Sequence, residues 1–255
     1  MKRNWLIIPE YEEREAYAAL AESYQAAFEY NDFYLPAVYE REEEIERRIK
    51  GYCELGRDRS RDTLHGAFLD IAVSSDDSLI AEYSKKRLRQ SMEIAARLGV
   101  RAVVFHSGLV RGVTGAAYIQ NWLERQEVCI RQLLEEFPQQ EIYMENTQEE
   151  SPEQLLSLKK NMMDCPRFAL CLDYGHANLG QTEPEEWVQA MKNQIAHFHI
   201  NDNDGTRDLH QVPGEGVIDW NRYKEITEPL GEIPVLIELN GMEQQKRALE
   251  YLLQV

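Results

Sequence analysis

Residues 168–179, FALCLDYGHANL, decide the fold. The apolar run Phe168–Leu172 is followed at once by the carboxylate of Asp173, and His176 comes three residues later. An unbroken apolar run of this length is typical of a strand covered on both faces, as in a parallel sheet. A carboxylate placed directly after such a run is costly to bury unless a cation or partner compensates it. The segment therefore predicts a buried parallel strand with a functional group at its carboxyl end.

Short strand-like runs alternate with longer helical segments eight times along the 255 residues. One helical stripe, Leu88, Met92, Ala95 and Leu98, stops at Gly99, as a helix C-terminus should. Eight such units predict an α/β fold, a single (β/α)₈ TIM barrel domain over residues 1–255. A doubly wound sheet would need a glycine-rich phosphate loop after its first strand, where this chain has PEYEE. The predicted strands are Trp5–Ile8, Phe33–Val38, Thr63–Phe68, Ala102–His106, Glu141–Glu145, Phe168–Asp173, Ile195–Ile200 and Pro234–Leu239.

Composition and charge restrict the partners. The formal net charge is −17, so the field of the protein repels a polyanion, and we expect no nucleic-acid partner. The chain has no apolar stretch that approaches a membrane span and no signal-like N-terminal segment, so we expect no membrane partner and a cytoplasmic location. The four cysteines lack paired metal-type spacing and are predicted to be free thiols. The barrel helices leave room for a homo-oligomer, and no surface in the sequence is visibly apolar enough to predict one.

Metal-type side chains occur at the carboxyl ends of six successive units. Because these strand ends meet at one mouth in a barrel, residues far apart in sequence become neighbours there. Each residue alone has an ordinary explanation, such as a solvated glutamate or a hydrogen-bonded core histidine. A shared metal site explains all of the placements at once. The residues are His65, His106, Glu145, Asp173, His176, His199, Asp208, His210 and Glu238.

Three other features have structural interpretations. His197 shares a strand face with His199 but lies one layer deeper, so it is interpreted as a core histidine or a partner of a metal ligand. The basic loop around Arg57 precedes the third strand and is interpreted as a solvated loop at the opposite end of the barrel. Gly214–Gly216 indicate a tight loop, and Asp219 an N-cap, with no chemistry assigned.

The chain resembles the xylose-isomerase-like barrels, which include tagatose 3-epimerase-type sugar epimerases, inosose isomerases and dehydratases, and type 2 AP endonucleases. The resemblance covers nearly the whole chain, and its most specific segments are LCLDYGHANL, HFHINDNDG, DLHQVPGEGVIDW and PVLIELN. It implies one divalent metal ion bound by Glu145, Asp173, His199 and Glu238. It also implies that Glu145 and Glu238 are the catalytic acid/base pair and that His176 contacts substrate oxygens.

The endonuclease members of that family bind three zinc ions with a larger ligand set. This chain also matches the extra positions, namely His65, His106, His176, Asp208 and His210, as further metal ligands or substrate contacts. The reactions left open are therefore a metal-dependent sugar, sugar phosphate or cyclitol isomerase or epimerase, a multi-zinc phosphodiesterase, and a non-catalytic sugar-binding barrel.

The net charge and the scarcity of basic residues in the mouth loops favour the isomerase or epimerase, with a small carbohydrate as substrate. Arg207, together with Arg111, is a candidate contact for a small anion such as a sugar phosphate. The ligand types accept Mn²⁺ or Zn²⁺ and also Co²⁺ or Fe²⁺.

Overall fold

Eight parallel strands close into a barrel in the computed structural model, which describes residues 4–147 and 149–254. Each strand pairs with the next along the chain, and the last pairs with the first, so the sheet has no free edge. The predicted (β/α)₈ architecture is confirmed. The strands are β1 Trp5–Ile7, β2 Ala27–Tyr30, β3 Thr63–His65, β4 Ala102–His106, β5 Glu141–Glu145, β6 Phe168–Asp173, β7 Ile195–Ile200 and β8 Val235–Ile237.

The helices surround the barrel and bury their apolar faces against it. Four residues of the predicted stripe, Leu88, Met92, Ala95 and Leu98, are all buried, and the helix ends at Gly99 in the left-handed conformation (φ 70°). The helices are α1 Arg14–Tyr24, α2 Pro36–Tyr39, α3 Glu42–Glu54, α4 Ser78–Leu98, α5 Ala116–Glu136, α6 Glu153–Asn161, α7 Tyr174–Ala177, α8 Pro184–Met191, α9 Trp220–Thr227 and α10 Met242–Leu252.

The prediction of the second strand at Phe33–Val38 was wrong. The strand is the preceding run AFEY, and Pro36 instead begins the short helix α2. Proline lacks a backbone N–H, so it suits the first turn of a helix better than the interior of a sheet. The third strand is also shorter than predicted: it ends at His65, just before Gly66, where the ring of Phe105 occupies the space that a side chain would need.

The basic loop before β3 lies at the N-terminal end of the barrel, as predicted, but Arg57 is not solvated. Its guanidinium lies 3.9 Å from the centre of the Phe28 ring and pairs with the buried carboxylate of Asp62. Asp62 also accepts hydrogen bonds from the Phe28 N–H and the Tyr30 hydroxyl. Arg57 therefore helps to hold β2 and β3 together, at the end of the barrel opposite the predicted metal ligands.

All four cysteines are free thiols, which confirms their prediction. Within the described residues, no helix combines the length and apolar character that crossing a membrane requires.

Candidate metal centre

Four predicted ligands meet inside the mouth of the barrel. Glu145 and Asp173 are the last residues of β5 and β6, His199 lies near the end of β7, and Glu238 directly follows β8. All four are buried, and one donor atom from each lies within 4.8 Å of the others. We call this set the four-ligand cluster. The closed barrel produces it, since the strand ends of a (β/α)₈ fold converge on one face.

The spacing of the donor atoms fits a bound divalent cation. The Nδ1 atom of His199 lies 3.4 Å from Oε1 of Glu145 and 3.7 Å from Oε2 of Glu238. Two ligands bound to a tetrahedral ion by bonds of about 2.1 Å lie about 3.4 Å from each other. Both carboxylate oxygens of Glu145 are buried without a hydrogen-bond partner. Buried polar atoms are rarely left unpaired, so this residue is suited to bind an ion.

Hydrogen bonds orient the ligand Asp173. Its N–H donates to Oδ1 of Asn146 at 2.8 Å, and its Oδ1 accepts from the N–H of His176 at 2.5 Å. The side-chain amide of Asn201 donates to its Oδ2 at 3.3 Å and lies 3.5 Å from Oε2 of Glu238. Burial and the nearby glutamates raise the pKa of Asp173 well above its usual range, although His176 opposes the shift. A crowded pair of buried carboxylates is what a divalent cation would stabilise.

Glu145 also belongs to a second cluster, with His65 of β3 and His106 of β4. Its Oε2 lies 3.5 Å from Nε2 of each histidine, whereas its Oε1 lies 3.4 Å from Nδ1 of His176 and of His199. The two oxygens therefore face different groups of imidazoles, as in a carboxylate that bridges two ions. Burial alone would raise the pKa of Glu145, but His199 and the other imidazoles hold it well below its usual range.

The burial of His106 lowers its pKa to about 4. The imidazole is therefore neutral near pH 7, which is the form that binds a metal.

A third cluster consists of His176, Asp208 and His210. The Nε2 atoms of the two histidines lie 3.2 Å from different oxygens of Asp208. Burial opposes the charge on His210, but Glu238 and Asp208 raise its pKa to about 10, and Asp173 and Asp208 raise that of His176 well above its usual range. Without an ion, this cluster therefore holds protons where a metal would bind.

The loop that carries Asp208 and His210 is organised by Asp202. Its buried carboxylate accepts hydrogen bonds from the backbone N–H groups of Asn203, Gly214 and Ile218 and from the indole of Trp220. The predicted N-cap at Asp219 is confirmed, since its side chain accepts from the Arg222 N–H. Gly216 passes so close to Asn203 that a Cβ would lie 2.3 Å from its carbonyl oxygen. The GEGVIDW segment therefore helps to hold in place the loop that carries Asp208 and His210.

Sequence reasoning missed Glu29 because it placed the second strand elsewhere. This fully buried residue of β2 has Oε1 2.9 Å from Nε2 of His199 and Oε2 3.0 Å from Nε2 of His197. The hydroxyl of Thr63 donates to Oε2 at 2.6 Å. The imidazoles of His199 and His197 hold the pKa of Glu29 well below its usual range against the effect of burial. The signal in the sequence was a single glutamate inside the run AAFEY.

The two predicted mouth arginines pair with nearby carboxylates, and Arg111 also lines a cavity with His176 and Asp208 of the third cluster. Arg207 is largely exposed, and its guanidinium contacts Asp204 at 2.8 Å. Arg111 contacts Glu150 at 3.1 Å and also donates to the carbonyl of Leu179. The contact of Arg207 with a substrate therefore stays a prediction.

A cleft with about 760 Å³ of empty space opens above the clusters. One wall is apolar, and the other is formed by residues of the second and third clusters. The residues that line it are Ala67, Phe68, Ile71, His106, Gly108, Leu109, Thr147, His176 and Asp208.

Comparison with known proteins agrees with this architecture. The family model described as Xylose isomerase-like TIM barrel matches residues 6–255. The uncharacterized protein MJ1614 of Methanocaldococcus jannaschii is 26% identical over 214 residues, which are 77% of this chain and 84% of that protein.

Solved structures share the fold at lower identity. The TTHB071 protein from Thermus thermophilus, soaked with ZnCl₂, has a TM-score of 0.78 and 21% identity, with 100% of this chain and 97% of that chain covered. The 3-keto-D-glucoside 4-epimerase YcjR from E. coli has a TM-score of 0.72 and 17% identity, with 100% of both chains covered. Other structures with this fold are D-psicose and D-allulose 3-epimerases. At such identities, the likeness shows the fold.

Proposed function

Because the chain belongs to the xylose isomerase-like TIM barrel family, we propose that it is a divalent-metal-dependent isomerase or epimerase of a small carbohydrate. The observation that carries this proposal is the four-ligand cluster, in which two glutamates, an aspartate and a histidine surround one buried point. Sugar epimerases among the proteins of the same fold support the choice of reaction. Mn²⁺ or Zn²⁺ suits this mixed oxygen and nitrogen ligand set, and Co²⁺ or Fe²⁺ is also compatible.

The residues of the site divide the chemistry between them. A bound divalent ion would supply Lewis acidity, holding neighbouring hydroxyl and carbonyl oxygens and stabilising the negative charge that develops there. Glu238, at the edge of the buried region, takes the proton from the carbon beside the carbonyl, and Glu145 returns it, or the reverse. His176 is fixed by the carbonyl of Asn146, 2.9 Å from its Nδ1, and holds a substrate hydroxyl.

The surroundings of the cleft favour a neutral substrate. Arg111 and Arg207 each contact a carboxylate, so neither charge is free for a phosphate. The apolar wall that includes Phe68 and Leu109 suits the carbon face of a sugar.

A second candidate, a multi-metal phosphodiesterase, is favoured by the bridging position of Glu145 and by the two flanking clusters. Three divalent ions would outweigh the carboxylates of Glu145, Asp173, Asp208 and Glu238 and make the mouth positive, which suits a phosphate ester. The net charge of −17 still opposes long nucleic acid.

Counting the ions separates the candidates. The freshly purified protein would be measured by mass spectrometry for bound metals, then stripped and reloaded with Mn²⁺, Co²⁺ or Zn²⁺ before assays on a panel of ketoses and on abasic-site DNA. About one ion per chain with turnover of a ketose supports the isomerase or epimerase. Close to three zinc ions with phosphodiester cleavage would replace it with the second candidate.

Two variants test whether the site is catalytic. Glu145→Gln and Glu238→Gln should abolish turnover in an isomerase or epimerase. A non-catalytic sugar-binding barrel would instead bind a sugar with full affinity in both variants and in the native chain show no turnover at all.

A further inference from the structure

Most histidines of the clusters are held by a backbone carbonyl. The Nδ1 atoms of His65, His176 and His210 lie 3.0, 2.9 and 2.8 Å from the carbonyl oxygens of Gly66, Asn146 and Glu238, respectively. Each contact leaves Nε2 directed at a carboxylate of a cluster. A carbonyl can only accept a hydrogen bond, so it fixes the proton of each imidazole on Nδ1 and leaves Nε2 free to face the carboxylate.

His199 differs from this pattern. Its Nδ1 atom faces Glu145 and Glu238, and its Nε2 atom lies 2.9 Å from the carboxylate of Glu29 instead of from a carbonyl. A full negative charge therefore lies behind His199, whereas a backbone dipole lies behind His65, His176 and His210.

No lysine or arginine in the described part of the chain pairs with the carboxylate of Glu29. Among the described residues, its ion-pair contacts are with His197 and His199, and its remaining polar neighbour is the hydroxyl of Thr63. Glu29 is fully buried, and a buried carboxylate is costly unless positive charge or hydrogen bonds compensate it. A cation on the far side of the His199 ring would supply that compensation.

We infer that Glu29 is a positioning residue of the metal centre, which fixes His199 with Nδ1 toward the ion and strengthens its bond through the imidazole. His197 and Thr63 contact Oε2 of Glu29 and so orient its Oε1 toward His199. The inference rests on the proposed function, since it requires an ion at the four-ligand cluster. A carboxylate behind a histidine ligand orients the ring and raises its basicity, and loss of such a partner typically weakens metal binding 10- to 100-fold.

The test measures metal affinity in the full-length chain. Glu29→Gln keeps the shape of the side chain and removes its charge. Metal-free native and variant proteins would be titrated with Co²⁺, whose visible absorption reports the ligand set, in competition with a chelator. We expect about 10- to 100-fold weaker binding by the variant at the four-ligand cluster, with the same number of ions per chain.

The matched control is Asp32→Asn. Asp32 is also a mostly buried carboxylate just after β2, but its partners are Arg48 and the hydroxyl of Tyr52, outside the clusters. This variant should lose thermal stability and keep the Co²⁺ affinity of the native chain. If Glu29→Gln does not fold, Thr63→Val removes one donor to Glu29 and should weaken binding by a smaller factor.

The outcomes distinguish this inference from the proposed function. If the native chain binds no Co²⁺ at the four-ligand cluster, both the proposed function and this inference are wrong. Equal affinity in the native chain and in Glu29→Gln, or in Thr63→Val where the first does not fold, overturns the inference alone. Loss of one whole ion with unchanged affinity for the others also overturns it, because Glu29, His197 and His199 would then be ligands themselves.

Discussion

Replacing Asp202 should destabilise the protein and, in a chain that binds an ion at the third cluster, remove that ion. Its carboxylate gathers four donors from across the β7–α9 connection, at distances of 2.8–3.2 Å. That connection carries Asp208 and His210. Asp202→Ala leaves the buried N–H of Ile218 and the indole of Trp220 without their acceptor, so the loop loses the interactions that hold the third cluster in place.

The magnitude follows from the number of donors. Hydrogen bonds to a charged group contribute about 1.5–3 kcal/mol each, but the N–H of Gly214 is only partly buried and water can replace its partner. We therefore expect Asp202→Ala to lower the free energy of unfolding by about 4 kcal/mol and Asp202→Asn by about 2 kcal/mol. For a chain of this size, 4 kcal/mol corresponds to a fall in Tm of roughly 10 °C.

The assay is urea unfolding of the metal-free protein, followed by a count of bound zinc after reloading. Asp204→Ala is the matched control, because Asp204 lies in the same loop but is exposed and bonded only to Thr206 and Arg207. It should change the unfolding midpoint far less and keep the full count. A loss below about 1 kcal/mol in Asp202→Ala would show that the loop does not depend on this carboxylate.

Four further predictions test other parts of the site. Glu145→Gln should bind fewer ions than the native chain and show no turnover, because an amide cannot bridge two ions; a native ion count by mass spectrometry would contradict this. His210 has its pKa raised from 6.5 to about 10, so the stability it contributes to the metal-free protein is complete below pH 6.5 and is lost as the pH rises through 10. Urea midpoints measured across that interval should fall, and zinc binding at pH 8 should release protons to an indicator dye. Gly175→Ala would place a Cβ 2.3 Å from Oδ1 of Asn201, which contacts two ligand carboxylates, so Co²⁺ affinity should drop while circular dichroism still shows the fold. Asp62→Asn, at the opposite end of the barrel, should lower Tm and leave the metal count unchanged, and a changed count would mean that the two ends are coupled.

The strands that the sequence predicted well are those with long apolar runs. The apolar runs FALCL and AVVFH are typical of strands buried inside a sheet, so the positions of these two strands could be predicted from the sequence. The run AFEY is short and contains a glutamate, whereas Phe33–Val38 is longer but contains Pro36, which disfavours a strand. Closure of the barrel places the strand at the first run. Local propensity cannot contain that information, because it depends on pairing with β1 and β3.

The candidate ligands were predictable for a different reason. In a barrel, residues at equivalent positions of successive β/α units lie at the same end of the fold. A residue at a strand end can therefore be placed at the mouth from its sequence position alone. The supporting groups could not be placed in this way. Glu29, Asn201 and Asp202 act through contacts across several units, and each looks like an ordinary polar residue in the sequence. Arg207 was chosen for its place in a mouth loop; its guanidinium contacts Asp204 three residues away, and its contact with a substrate stays a prediction.

The number of bound ions also decides which proton transfers the site can perform. An epimerase inverts one carbon, so it needs one group to remove the proton and a second to return it on the opposite face. If a single ion binds, one oxygen of Glu145 remains available, and together with Glu238 it provides such a pair. If a second ion binds at His65 and His106, both oxygens of Glu145 are engaged, and Glu238 is the carboxylate that remains. One base can still move a proton between neighbouring carbons on the same face, which is an isomerisation. A single-ion centre is therefore compatible with epimerisation, whereas a centre that engaged both oxygens of Glu145 would leave Glu238 as the remaining base and would suit isomerisation or hydrolysis.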